Sequence, residues 1–245
     1  MPEGPSIIIL KEEAEKFIGE SVISVYGNAK QDLQKINGRK IMDLQSWGKQ
    51  FLICFNTFYV RIHLLLFGSY RIDEKRDMQP RLSLRFRNGE INFYNASVKI
   101  IEGKPEDTYD WSIDVMSDKW NPQKAFTALK AFKNLMVCDV LLNQNIFAGS
   151  GNIVKNEVLF KMFIHPESQL SALPVQKKRA LVKAVRNYCF DFYTWKKAYE
   201  FRKHWLIYRA PICPRCKIPV SIKITGTTQR KSFYCNSCQV LYKGK

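Results

Sequence analysis

The chain has 245 residues, 46% of them hydrophobic and 13% aromatic, which is enough to bury a sizeable core and excludes a disordered tail. Lys and Arg number 39 against 22 Asp and Glu, for a formal charge of +17. Charge on that scale repels itself and calls for a polyanionic partner, nucleic acid first and an anionic membrane surface second. No apolar run approaches ~18 residues and no secretory leader is read, so the expectation is a soluble cytoplasmic protein, used at the bacterial nucleoid.

The chain opens Met1-Pro2-Glu3-Gly4-Pro5. A proline freed of Met1 is a secondary amine, which can attack an electrophilic carbon and collapse to a charged imine, as lysine Schiff bases do. An α-amino group titrates near ~7.7–8.0, so a useful fraction is unprotonated at neutral pH. On these residues alone, an ordinary start followed by proline is the simpler reading. Ser6 is expected to cap a short helix from Ile7 to Phe17, with Ile7, Leu10, Ala14 and Phe17 on one face.

From Val22 onward the pattern turns to strands. Ile41–Phe55 and Phe58–Ile72 are long apolar runs, and Leu82 to Phe93 alternates around Asn88-Gly89, a strong hairpin signal. Several such strands predict a β-sandwich. Gly48-Lys49 interrupts the first run, where the lysine either faces a ligand or is a solvated hairpin residue. His63-Leu64-Leu65-Leu66-Phe67-Gly68-Ser69 is uniformly apolar before its glycine. Core packing is the default there, and exposed wedges that enter a base stack are the alternative.

The polar stretch from Glu102 marks a boundary, which gives a first domain of residues 1–115. A helical domain follows over 116–208. Asn121-Pro122 starts a helix with Phe126, Leu129 and Phe132 inward. A second helix is expected over Met136–Phe147. Ala148-Gly149-Ser150-Gly151-Asn152 then leads into a third, with Val154, Val158, Leu159 and Met162 on its buried face. A glycine turn before a helix N-terminus suits a phosphate, because bare N–H groups and the positive dipole end converge there. Taken alone, a plain structural turn is the simpler reading. Ser171 is expected to cap a further helix with Leu181, Val182 and Val185 inward. The aromatic-rich stretch from Tyr188 to Tyr208 gives no clear assignment.

Residues 209–245 form the last segment. Cys213-Pro-Arg-Cys216 and Cys235-Asn-Ser-Cys238 are separated by 18 residues, the pattern of a tetrahedral zinc ribbon. Four thiolates leave no open position, so one structural Zn2+ is expected, not a catalytic one. A segment of ~35 residues has too little core to fold unaided, and metal binding supplies on the order of 10 kcal/mol. The three remaining cysteines sit in apolar surroundings, and the odd total of seven argues against a disulfide framework.

In this order, the terminal Pro2-Glu3, Gly48-Lys49, the stretch from Leu141 through Gly149-Ser150-Gly151-Asn152 to His165-Pro166, and the four-cysteine finger with Arg230 resemble the formamidopyrimidine-DNA glycosylase / endonuclease VIII family. The resemblance implies an α+β multidomain fold: an N-terminal β-sandwich with a short leading helix, a helix–two-turn–helix domain and a zinc ribbon. It also implies a bifunctional glycosylase and abasic-site lyase of base-excision repair, acting as a monomer on double-stranded DNA that carries damaged bases or abasic sites. In that family Pro2 forms the imine, Glu3 moves protons at the sugar, and Lys49 binds phosphate beside the lesion. Asn152, after the Gly149/Gly151 turn, and Arg230, on the finger, grip the phosphates flanking the flipped nucleotide, while Leu65, Leu66 and Phe67 wedge the gap.

Ser6 and Asn143 depart from acidic residues that are usual in the family. Asn95-Ala96-Ser97-Val98 lacks the Asp-Pro-Arg-Arg-Phe segment of the formamidopyrimidine branch and looks closer to endonuclease VIII, which predicts a preference for oxidised pyrimidines. A non-catalytic protein that binds damaged DNA on the same scaffold is the alternative.

Overall fold

A computed structural model describes residues 2–132 and 134–244; Met1, whose removal the chemistry of Pro2 requires, lies outside them. The chain divides into two compact units, Met1–Asp110 and Trp111–Lys245.

The first unit begins with α1 (Gly4–Ala14), which has Glu3 at its N-cap position and carries proline in its first turn. The helix therefore starts three residues before the sequence pattern suggests. Ser6 lies inside the first turn, donating its backbone N–H to the Glu3 carbonyl at 2.8 Å. Ile7, Leu10, Ala14 and Phe17 are all buried, as their spacing requires.

Six strands follow: β1 (Ser24–Tyr26), β2 (Asp43–Trp47), β3 (Gln50–Cys54), β4 (Phe58–Ile72), β5 (Leu82–Phe86) and β6 (Gly89–Glu102). They pair in the order β1-β5-β6-β4-β3-β2, each neighbour antiparallel. The long strands β4 and β6 belong to both halves of this sheet. Their register breaks between Leu64 and Ser69, so Phe58–Leu64 pairs beside β3 while Ser69–Ile72 pairs with the β6 segment next to β5. The halves close on each other: Phe51 of β3 meets Phe93 of β6, ring centroids 6.0 Å apart, within one continuous core. That is the expected sandwich, made by folding one sheet at a bulge.

One turn differs from the expectation. Phe86 pairs with Gly89, so Arg87 and Asn88 form the hairpin loop and glycine closes it. Gly89 has φ +142, and a Cβ there would strike the Asp73 carboxylate.

The second unit holds α2 (Pro122–Ala131), α3 (Val137–Val140), α4 (Asn152–Lys161), α5 (Val175–Lys197) and the hairpin β7 (Ser221–Thr225)–β8 (Arg230–Tyr234). Asn121 caps α2 by accepting from the Lys124 N–H at 3.0 Å. Phe126 and Leu129 are buried, but Phe132 falls past the helix end and is exposed.

The expected helix over Met136–Phe147 is a single turn. Asn143 Oδ1 accepts from the Asn145 N–H at 2.9 Å, and the Gln144 amide donates to the Leu142 and Ser150 carbonyls. Such local side-chain bonds compete with helix propagation. Ser171 caps no helix. Instead α5 begins after Pro174 and runs 23 residues, into the aromatic stretch as far as Lys197, burying Tyr188, Cys189 and Phe192 beside Leu181, Val182 and Val185. The segments read as 116–208 and 209–245 both lie in this unit. No helix among the described residues is long and apolar enough to cross a membrane.

Candidate functional site

In the first unit the chain start is held firmly. Chain ends fray unless tied down, yet Pro2 is partly buried, Glu3 is 0% exposed and Gly4 to Ile7 are buried. The helix that begins there packs against β2 and β3. Gly48 and Lys49 form the two-residue turn between those strands, closed by the Trp47–Gln50 pair. Gly48 takes φ +56 at the first turn position, the conformation that a type II′ hairpin reserves for glycine. The end of β2 is anchored by Trp47, whose indole N–H donates to the Asp110 carbonyl at 3.0 Å and whose ring stacks on Tyr109 at 4.8 Å.

Sequence reading passed over His63, which sits across from Gln50 on β4. Burial, then the positive charges of Lys49 and Arg61, push its pKa below the ordinary histidine value. A histidine one strand over from a turn lysine is visible only once the register is known.

At the bulge, Leu65, Leu66 and Phe67 are exposed, Phe67 to 78%. Core packing is therefore not their role. Behind them Gly68 is packed so closely against the Leu65 amide and the Asn95 carbonyl that a Cβ would come within 2.6 and 2.8 Å. Asn95, opposite the bulge, takes φ +48.

In the second unit the start of α4, just after Gly149 and Gly151, lies against β8, which sets Asn152 beside Lys231, the residue after Arg230. Gly149 has φ +97, and its N–H is not bare: Gln144 Oε1 accepts it at 3.1 Å. The Gly149 amide is therefore not one of the bare donors expected from the sequence. Asn152 is nearly buried, with Nδ2 donating to the Lys231 carbonyl at 3.1 Å and Oδ1 lacking a partner among the described residues. Arg230 stands exposed at the start of β8.

The hairpin tip is fixed by Asp139 of α3. Its carboxylate accepts from the Thr227 N–H at 2.9 Å and from the Thr228 N–H and hydroxyl at 3.0 Å each. Asp139 is not visible to a sequence reading, because its partners lie far along the chain.

Cys213, Cys216, Cys235 and Cys238 converge, with their four Sγ atoms within 4.8 Å of one another. Cys213 and Cys238 sulfurs are 3.9 Å apart. Four ligands at ~2.3 Å around a tetrahedral ion place sulfurs about 3.8 Å from each other. The cluster thus fits one metal ion, and the separation is far too long for a disulfide.

A β-sandwich that fixes its own chain start, and a helical unit ending in a four-sulfur hairpin, define the fold of the formamidopyrimidine-DNA glycosylases. Lactococcus lactis formamidopyrimidine-DNA glycosylase, solved bound to DNA containing an abasic site, superposes with a TM-score of 0.84 over 97% of this chain and 99% of that one, at 19% identity. In sequence the chain is 30% identical over 222 residues to endonuclease 8-like 3 of Bos taurus, covering 86% of this chain and 37% of that protein. It is 33% identical over 196 residues to endonuclease 8-like 2 of the same species, covering 74% of this chain and 58% of that one. The chain thus spans well under two thirds of these curated relatives. No family model matches it. The chain belongs to the formamidopyrimidine-DNA glycosylase / endonuclease VIII family.

Proposed function

We propose that this protein is a DNA glycosylase and abasic-site lyase of base-excision repair, with Pro2 as its nucleophile. The observation that carries the reading is the seating of the chain start. Pro2 is partly buried directly ahead of a sealed Glu3 and a helix locked into the sandwich, so its nitrogen has a defined position. A secondary amine so placed, freed of Met1, attacks the anomeric carbon of a damaged nucleoside and forms an imine as the base leaves. The imine acidifies neighbouring sugar protons, and β- then δ-elimination cut the strand. Glu3 moves protons at the sugar. Lys49 holds phosphate beside the lesion, next to the largely neutral His63.

Leu65, Leu66 and Phe67 are the side chains able to fill the gap left by an extruded nucleotide, a step that costs a few kcal/mol and less for damaged bases. Asn152 and Arg230 contact flanking phosphates. Phosphates only accept hydrogen bonds, so Asn152 contributes its second amide N–H or its backbone N–H, not Oδ1. Cys213, Cys216, Cys235 and Cys238 would hold one Zn2+ with a purely structural role. The substrate is double-stranded DNA, with oxidised pyrimidines preferred because Asn95-Ala96-Ser97-Val98, which lies in β6, lacks the Asp-Pro-Arg-Arg-Phe segment of the formamidopyrimidine branch.

Borohydride trapping on abasic-site DNA tests the chemistry. Protein shown by mass to begin at Pro2 is expected to form a covalent adduct, and Pro2→Gly or retained Met1 to suppress it strongly. Binding without an adduct would replace this reading with the non-catalytic one. Faster excision of 8-oxoguanine than of thymine glycol would overturn the substrate preference.

A further inference from the structure

Lys155 lies in the second turn of α4 and is 0% exposed. The chemistry above makes no use of it. Burying an ammonium is costly unless its donors are satisfied, and a methionine would fill similar space without that cost. What distinguishes the lysine is where its bonds go. Nζ donates to the Ser232 hydroxyl at 2.8 Å and to the Lys231 carbonyl at 3.2 Å. That same carbonyl accepts Asn152 Nδ2 at 3.1 Å. Asn156 adds a parallel tie, donating Nδ2 to the Asn152 carbonyl at 2.6 Å and accepting the Phe233 N–H on Oδ1 at 2.8 Å. Three consecutive β8 residues, Lys231 to Phe233, are thus bound to the start of α4, and Arg230 is the next residue along.

We propose that Lys155 is a positioning residue whose buried ammonium locks Asn152 and Arg230 into one phosphate-gripping unit. The inference rests on the reading of Asn152 and Arg230 as phosphate contacts. With Lys155 and Asn152 both on the Lys231 carbonyl, that oxygen is fixed in direction. Turning the Asn152 amide over would set Oδ1 against the carbonyl, acceptor to acceptor. The Nδ2 orientation, with one N–H left for a phosphate, is therefore enforced. The strand that aims Arg230 is held by the same bonds.

The test is a double-mutant cycle in the full chain with Lys155→Met and Arg230→Ala, measuring affinity for a duplex containing a tetrahydrofuran abasic-site analogue. Hydrogen exchange at the Phe233 amide is followed in parallel. Each single change is expected to weaken binding about 10-fold, the size of one charge-assisted hydrogen bond. The double variant should be little worse than either, because Arg230 is no longer aimed once Lys155 is gone. Phe233 should lose protection in Lys155→Met.

Coupling of about 3-fold or more supports the proposal. Losses that multiply within about 3-fold, or Lys155→Met binding like the parent, overturn it. If Arg230→Ala has no effect in the parent chain, the phosphate reading itself has failed, which is a separate result. Should Lys155→Met not fold, Ser232→Ala, which removes one acceptor of the same ammonium, takes its place in the cycle under the same criteria.

Discussion

Glu157 Oε1 accepts the backbone N–H of Tyr208 at 2.7 Å, across fifty residues of intervening chain. The same oxygen takes the Ile207 N–H at 3.0 Å, and Oε2 takes that of Leu206 at 3.0 Å. The carboxylate thereby pins the segment leading into Cys213 onto α4. Burial pushes the pKa of Glu157 up, while these three amides pull against that rise. Glu157→Gln keeps an oxygen for Ile207 and Tyr208 but turns an NH2 toward the Leu206 N–H. A loss of about 1–3 kcal/mol is expected, read by thermal or denaturant unfolding of the second unit, with Glu157→Ala worse.

The wedge residues separate binding from folding. Leu65, Leu66 and Phe67 are exposed, and substitutions at such surface positions usually stay within about 0.5 kcal/mol. Leu66→Ala combined with Phe67→Ala should therefore melt like the parent. The pair should still bind abasic duplex about 10-fold more weakly, since unstacking costs a few kcal/mol and the side chains that offset it are gone. On single-stranded DNA, with no stack to open, the loss should be much smaller. Equal losses on both substrates would remove the wedge role.

His63 and His165 both have pKa values below the ordinary 6.5, burial being the first cause in each. The sign follows from linkage. A histidine depressed in the fold binds its proton more readily when unfolded, so its contribution is fully present above the unfolded pKa and is lost as pH falls. Stability should decline from about pH 6.5 downward, and His63→Asn should flatten part of that slope. Lys49→Met should raise the His63 pKa, followed by NMR titration, yet leave it below 6.5 because burial persists.

The strands were legible because their side chains alternate against one core: Phe58–Ile72 and Leu82–Phe86 stand where the pattern puts them. The cysteine cluster was legible from spacing alone. Helix limits were not. Asn143 and Gln144 stop α3 through side-chain bonds that propensity does not record, and α5 runs through Tyr188–Lys197 because its aromatics pack on one another and on the turn that follows, Tyr188 against Trp195 and Phe192 on Phe201. Pro2, Lys49, Asn152 and Arg230 were singled out through resemblance and local motif. His63, Asp139, Lys155 and Glu157 escaped because each acts through a partner on another element, and a linear pattern holds no record of such pairs.

Metal content offers the sharpest separation between the two units. Four sulfurs at tetrahedral spacing predict one zinc per chain by elemental analysis. Apart from the bonds that Asp139, Asn152, Lys155 and Asn156 make to it, little supports the hairpin without the ion: β7 exposes Ile222 and Ile224, and the small core around Cys213 and Cys235 is completed by Phe160, Ile207 and Phe233. Chelation, or Cys235→Ser, should release the hairpin, because metal binding provides on the order of 10 kcal/mol to such sites. Arg230 would then lose its alignment, and affinity for abasic duplex should fall by at least about 10-fold. The sandwich has a separate core built on Phe51 and Phe93. Its amides should keep their exchange protection after chelation, and restored zinc should recover DNA binding. Full DNA affinity in metal-free protein would show that the hairpin stands without its ion.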